Sequence, residues 1–250
     1  MLKRILLPLA GLGLALLLWG AGVAALERST PIAAAFAPAR AALALAELVQ
    51  GRDIWLHIWL SLQRVAVGLG LAAVLGVPLG VLVATSKNFA GGAMPLFQLL
   101  RMVSPLSWMP LAVMVLGVGD APVYFLLAFA AVWPILLNTA AGVGRLDPNW
   151  LLLARSLSAT RSETVLRVIL PGITADILTG VRLAIGIIWI VLVPAEMLGV
   201  SAGIGYFILD TRDRLAYSEL MAAIILIGGL GFLLDYLARA AHARWLHVSN

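Results

Sequence analysis

The sequence predicts an all-α polytopic membrane protein with about six transmembrane helices. Composition is the first reason: 62% of the 250 residues are hydrophobic, 12% are charged and the mean hydropathy is +1.04. One soluble core of this size needs no such excess, whereas several spans of about 20 residues each do. The second reason is pattern. The apolar runs lack the period-2 alternation of barrel strands, and helices are the other structure that satisfies the backbone in lipid. The third is the placement of charge: the net +5 comes from arginines at the ends of apolar runs, where topology signals sit, and not from a basic face suited to nucleic acid. There is no cysteine, which excludes disulfides, thiolate metal sites and cysteine nucleophiles.

The first span is expected from Ile5 to Leu26, behind Met1-Leu-Lys-Arg. That start resembles a secretory signal, but Ala21-Gly22-Val23-Ala24-Ala25 is only a near match to a cleavage site, so retention as a span is expected. The connector from Glu27 to His57 is too long for a tight turn, and its Ala-rich middle, Pro38 to Gln50, reads as an interfacial helix on the outer face. The second span runs from Trp59 to Ala84. Its Gly68, Gly70, Gly76 and Gly80, like Gly228, Gly229 and Gly231 in the sixth, let helix backbones approach, within the chain rather than across a dimer seam.

The third span, Met94 to Val118, carries Pro95, Pro105 and Pro110 beside Arg101, Ser104 and Trp108, so it is expected to be kinked or broken, with a path-lining role and a purely structural kink equally open. In the fourth, Ala121 to Val143, Asn138 is a polar group in oil, for which an interhelical hydrogen bond is favoured over a pathway role. The fifth runs from Leu170 to Leu198. Near its start lie Asp176 and Arg182, the latter expected to snorkel towards headgroups rather than pair with a carboxylate or an anion. Near its end Glu196 reads as a gate or a helix-anchoring hydrogen-bond partner, since a bare carboxylate there repels an anion and is costly to desolvate. The alternating charges of Asp210-Thr211-Arg212-Asp213-Arg214 are expected as a solvated outer loop before the sixth span, Tyr217 to Ala238, with docking of a binding protein as the functional alternative.

Between the fourth and fifth spans lies a charged, capped island, residues 147–171. Asp147 can cap a helix whose first position is Pro148, where a missing amide hydrogen costs nothing. A break is expected near Ser158. Thr160 with Glu163 three residues on is the reciprocal capping-box pattern for a second short helix, and Pro171 marks the return to the bilayer. Two short helices and a polar elbow form a knob suited to a soluble partner.

This island resembles the coupling segment of ABC-importer permeases, whose pattern is Glu-Ala-Ala-x3-Gly-x9-Ile-x-Leu-Pro: Val168, Leu170 and Pro171 fall in register, while Leu152, Leu153 and Ser158 replace the Glu, the first Ala and the Gly. The elbow position normally needs positive φ, which Ser adopts at about 1 kcal/mol. Leu100 to Pro110, Trp133 to Thr139 and Pro194 to Tyr206 also resemble permeases for nitrate, sulfonates, taurine and bicarbonate, as does His57-Ile-Trp-Leu-Ser61-Leu62-Gln-Arg64-Val65. The resemblance implies a type I ABC-importer permease fold, with residues 1–57 forming the first helix and outer segment and 58–250 the core. It implies coupling to an ATPase through Leu153, Ala154, Arg155, Leu157, Ser158, Ala159 and Thr160, with Ala154 and Leu157 towards the ATPase groove and Arg155 and Arg161 at its rim. It also implies a path or gate among Ser104, Trp108, Asn138, Arg182 and Glu196. The implied machine has two such permeases, identical or paralogous, two cytoplasmic ATPases and an external binding protein, in a bacterial inner membrane, and imports a small anion by alternating access, nitrate favoured and aliphatic sulfonates or taurine next.

No Gly-x4-Gly-Lys-Ser/Thr loop occurs, so ATP and its Mg are expected on another chain and this chain is expected to bind no cofactor and to be no enzyme. An intramembrane hydrolase is disfavoured because His57, His242 and His247 lie at span ends without a metalloprotease or nucleophile-elbow motif. A secondary transporter would be expected to carry midplane ionisable groups and paired halves. Charge bias orients the chain: Lys3, Arg4, Lys87, Arg145, Arg155, Arg161, Arg167, Arg239 and Arg244 on one side outnumber Arg28, Arg40, Arg52, Arg212 and Arg214 on the other, which puts both termini and the island in the cytoplasm.

Overall fold

The centre of the molecule is a three-helix stack made possible by glycine. In the computed structural model, which describes residues 2–248, helix α6 (Asp120–Arg145) lies between α3 (Asp53–Thr85) and α10 (Thr174–Gly199). Met1 lies outside the described residues, as do the side chains of Lys3, Arg4, His242 and His247. A Cβ on Gly68 would stand 2.6 Å from that of Leu127, and one on Gly80 2.6 Å from the Leu136 carbonyl oxygen. Gly180 brings α10 equally close, 2.9 Å from the Ile135 Cα. Leu126, Leu127, Ile135, Leu136, Ile188 and Leu192 fill the seam and are fully buried. Small residues therefore serve packing within the chain, where dispersion and close approach replace the hydrophobic effect. In α12 (Tyr217–Val248), Gly231 accepts the Trp189 ring, but Gly228 and Gly229 meet nothing within 4 Å.

The third span is not one helix from Met94. It is α4 (Lys87–Met102), capped by Ser86, then a 3-10 turn (Pro105–Trp108) running into α5 (Met109–Leu116), and the two halves are bent by 91°. Pro105 forces the extended backbone at Ser104, whose ψ is 129°.

Around this core, α1 (Leu2–Glu27) packs mainly on a 3-10 turn (Pro31–Phe36) and on α2 (Pro38–Gln50). Helix α2 has the bounds expected of it and lies against α12, with Ala41 and Ala44 buried. Other boundaries move. Helix α3 starts at Asp53 rather than Trp59, so residues 57 and 58 lie inside one helix. The fifth span starts at Thr174, not Leu170, because Leu170–Gly172 belongs to the preceding segment. Asp210 to Asp213 are the last residues of a helix, α11 (Ile204–Asp213), and not a loop; Thr211 is fully buried, its hydroxyl donating to the Phe207 carbonyl at 3.0 Å. The chain order puts the start of α3 and α6 and the end of α10 at one end of the bundle. The segment after α6 lies at the other.

Candidate functional site

At the first end a polar cluster ties three helices and a Gly-rich turn together. His57, Ser61 and Arg64 follow one another at helical spacing on α3, which aims all three at the end of α10. Arg64 is 4% exposed and Glu196 fully buried, and Arg64 Nη1 donates to Glu196 Oε1 at 2.6 Å. Arg64 also donates Nε to Asp120 Oδ1 at 2.9 Å and Nη1 to the Ala202 carbonyl at 2.6 Å. Ser61 Oγ donates to Glu196 at 2.7 Å and accepts the Ile204 amide at 2.8 Å; the Gly205 amide donates to the second Glu196 oxygen at 2.8 Å. His57 Nδ1 accepts the Gly203 amide at 2.9 Å. Gly203 has φ +130°, and any side chain there would collide with Arg64 and Glu196. A buried charge needs pairing and hydrogen bonds, and both charges here have them.

At the opposite end, residues 147–172 form α7 (Pro148–Ser156), an elbow, α8 (Arg161–Thr164), a π-helical turn (Val165–Ile169) and α9 (Leu170–Gly172). Asp147 Oδ1 accepts the Asn149 amide at 2.9 Å. The elbow is a Schellman turn: Ser158 takes φ 55°, its amide donates to the Arg155 carbonyl and that of Ala159 to the Ala154 carbonyl, each at 3.0 Å. The capping box is complete, with the Thr160 amide donating to Glu163 at 2.9 Å and the Glu163 amide to the Thr160 hydroxyl at 3.3 Å. The Thr160 backbone amide, aided by its hydroxyl, holds the Glu163 carboxyl below its ordinary pKa. That stabilisation is present at neutral pH and is lost as pH falls through the lowered value.

Ala154 does not face outward as the sequence suggests. It is buried, lining with Trp150, Leu153, Leu157, Arg167 and Pro171 a cleft of about 590 Å³ between α7 and the returning chain. Leu153 and Leu157 expose more than half their surface, 55% and 74%, and Arg155, Ser158, Thr160 and Arg161 are exposed while Ala159 is half-buried.

The remaining expected residues are dispersed. Ser104 is exposed at the break of the third span, and Trp108 packs on Phe129 at 5.6 Å between ring centres. Among the described residues Asn138 makes no interhelical bond: its Nδ2 donates to the Pro134 carbonyl one turn back at 2.8 Å. Arg182 is half-buried, 4.0 Å from Asp235, which also holds Arg239. Asp176 pairs with Arg145. Of the five, only Glu196 belongs to the polar cluster. Its partners Ser61 and Arg64, and Asp120 on the far side of Arg64, carry no site role in the sequence reading, although an intramembrane arginine and an intramembrane glutamate in one chain are each other's cheapest partners.

Three comparisons bear on this arrangement. The family described as "binding-protein-dependent transport system inner membrane component" matches residues 76–247. The nitrate import permease protein NrtB of Synechocystis sp. is 36% identical over 184 residues, 74% of this chain and 67% of that protein. The bicarbonate transport system permease protein CmpB of Synechococcus elongatus is 40% identical over 177 residues, 70% of this chain; the chain thus spans 63% of that relative's length. Among solved structures, an inward-facing form of the MetNI methionine ABC transporter aligns over 76% of this chain and 96% of that chain with a TM-score of 0.64 at 16% identity, a likeness of fold.

Proposed function

The chain belongs to the family of binding-protein-dependent transport system inner membrane components, and from that premise we propose that it is the membrane-spanning subunit of an ATP-driven importer of a small oxyanion. The anion is nitrate ahead of aliphatic sulfonates, taurine and bicarbonate. The observation that carries the reading is the segment 147–172, a knob capped at both short helices that presents Trp150, Leu153 and Leu157 outside the bundle. Apolar side chains on a capped, charged knob are what a soluble ATPase subunit can grip. The clamp of Arg64 and Glu196 sits at the far end, where it locks α3, α6 and α10 to the Gly-rich turn. Nucleotide-driven movement of the knobs would pivot the helices, and the clamp would carry that movement as a rigid unit to the mouth that meets the binding protein. Two permeases, identical or paralogous, two ATPases with ATP and Mg, and one binding protein complete the assembly.

The test is co-expression with the partner ATPase and binding protein. A two-plus-two complex whose uptake of nitrate into proteoliposomes requires ATP supports the reading. A monodisperse preparation without any ATPase chain that still transports overturns it.

A further inference from the structure

At the bend in the third span an arginine borders two cavities. Arg101 is the penultimate residue of α4; it is exposed and, like Arg155, Arg161 and Arg167 at the knob, makes no ion pair or hydrogen bond among the described residues. Its side chain lines two cavities at once. One, about 370 Å³, lies between the break, α6 and α10 and is lined by Val103, Pro105, Pro134, Asn138 and Ile187. The other, about 180 Å³, adds Gln98 and Phe97. Trp133 forms a wall of both, nine-tenths buried, and its indole N–H has no hydrogen-bond partner among the described residues.

We propose that these cavities hold the transported anion inside the permease, with Arg101 as the binding cation and Asn138 as its polar neighbour, and that the ligand class is a small monovalent oxyanion. This rests on reading the chain as an anion-importing permease and adds the place where the ion is held. A guanidinium stays charged at any accessible pH, so an anion entering either cavity meets a fixed positive charge at its edge. The guanidinium fork matches two oxygens of a planar anion, which a point charge does not. Asn138 spends one N–H on the Pro134 carbonyl and keeps its carbonyl oxygen and second N–H for waters that accompany the ion. The broken backbone beside the cavity is tolerated at membrane depth where it lines such a space.

The experiment uses the whole assembly with its ATPase and binding protein in proteoliposomes, offered nitrate, bicarbonate or methanesulfonate. Arg101→Gln is expected to cut anion uptake by at least about tenfold at equal complex yield, while Arg101→Lys keeps a measurable fraction because charge survives and the fork does not. Asn138→Asp places a carboxylate beside the cation; it is expected to cut uptake by about tenfold with an unchanged or raised melting temperature, because the built-in counter-charge competes with the ion. A structural role for Arg101 would leave uptake of Asn138→Asp intact. Uptake by Arg101→Gln within about twofold of the parent, or failure of that variant to assemble, would overturn the assignment. If the parent complex moves a solute but none of these anions, the functional reading fails first and the site falls with it.

Discussion

Glu196 shows how much one side chain can hold. It is fully buried and bonded to Ser61, Arg64 and the Gly205 amide, so its replacement leaves a cation, a hydroxyl and an amide short of partners. Breaking a buried pair on one side costs about 3–5 kcal/mol. Glu196→Leu is therefore expected to lower the thermal midpoint of the solubilised complex sharply, and an unchanged midpoint would show that the cluster does not bind the helices together. Gly203→Ala is expected to act in the same direction, because φ +130° and the contact with Arg64 both exclude a side chain. Ser158 is the opposite case. It holds φ 55° at the elbow, so Ser158→Gly should preserve uptake and stabilise by about 0.5–1 kcal/mol, whereas Ser158→Val should weaken the segment; equal midpoints for all three would mean that the elbow is unstrained.

At the scale of elements, the segment 147–172 separates two roles that one helix turn carries. Leu157 is exposed and Ala154 is buried in the fold of the segment. Leu157→Asp is thus expected to insert and fold normally but lose ATPase docking, while Ala154→Trp is expected to disturb the segment itself and reduce the yield of folded permease. Pull-down of the ATPase, normalised to permease content, distinguishes them, and normal docking by Leu157→Asp would remove the outward face from the interface. The caps of this segment were legible because they are short-range: Asp147-Pro148 and Thr160-x-x-Glu163 state their own hydrogen bonds. The inward turn of Ala154 was not, since it depends on Pro171 and Arg167 returning across the segment through a π-helical turn that no periodicity announces. Likewise the prolines of the third span signalled a break but not its 91° bend.

The whole molecule joins a polar clamp at one end to a capped knob at the other through three helices packed on glycine contacts. Hydropathy shows such spans plainly, but which spans touch was hidden, because lipid-facing and protein-facing residues are equally apolar here. Long-range pairs such as Arg64 with Glu196 required the assembled bundle to be seen. The nine-to-five excess of basic residues at the knob's end predicts that this end is cytoplasmic. Cysteines at exposed Ser162 and Asp213 should be labelled by impermeant reagents from opposite sides, with Asp213→Cys reached from outside intact cells; labelling of both from outside would reverse the placement of the knob.

The measurement closest to the central claim is ATP-dependent anion uptake by the complete assembly in proteoliposomes, comparing the parent permease with Leu157→Asp at equal permease content. The parent is expected to show uptake that requires ATP and the ATPase subunit, and the variant a loss of at least about tenfold, as when a central docking contact is removed. Normal uptake by Leu157→Asp with normal ATPase binding, or uptake by the permease alone on an ion gradient, would contradict the claim.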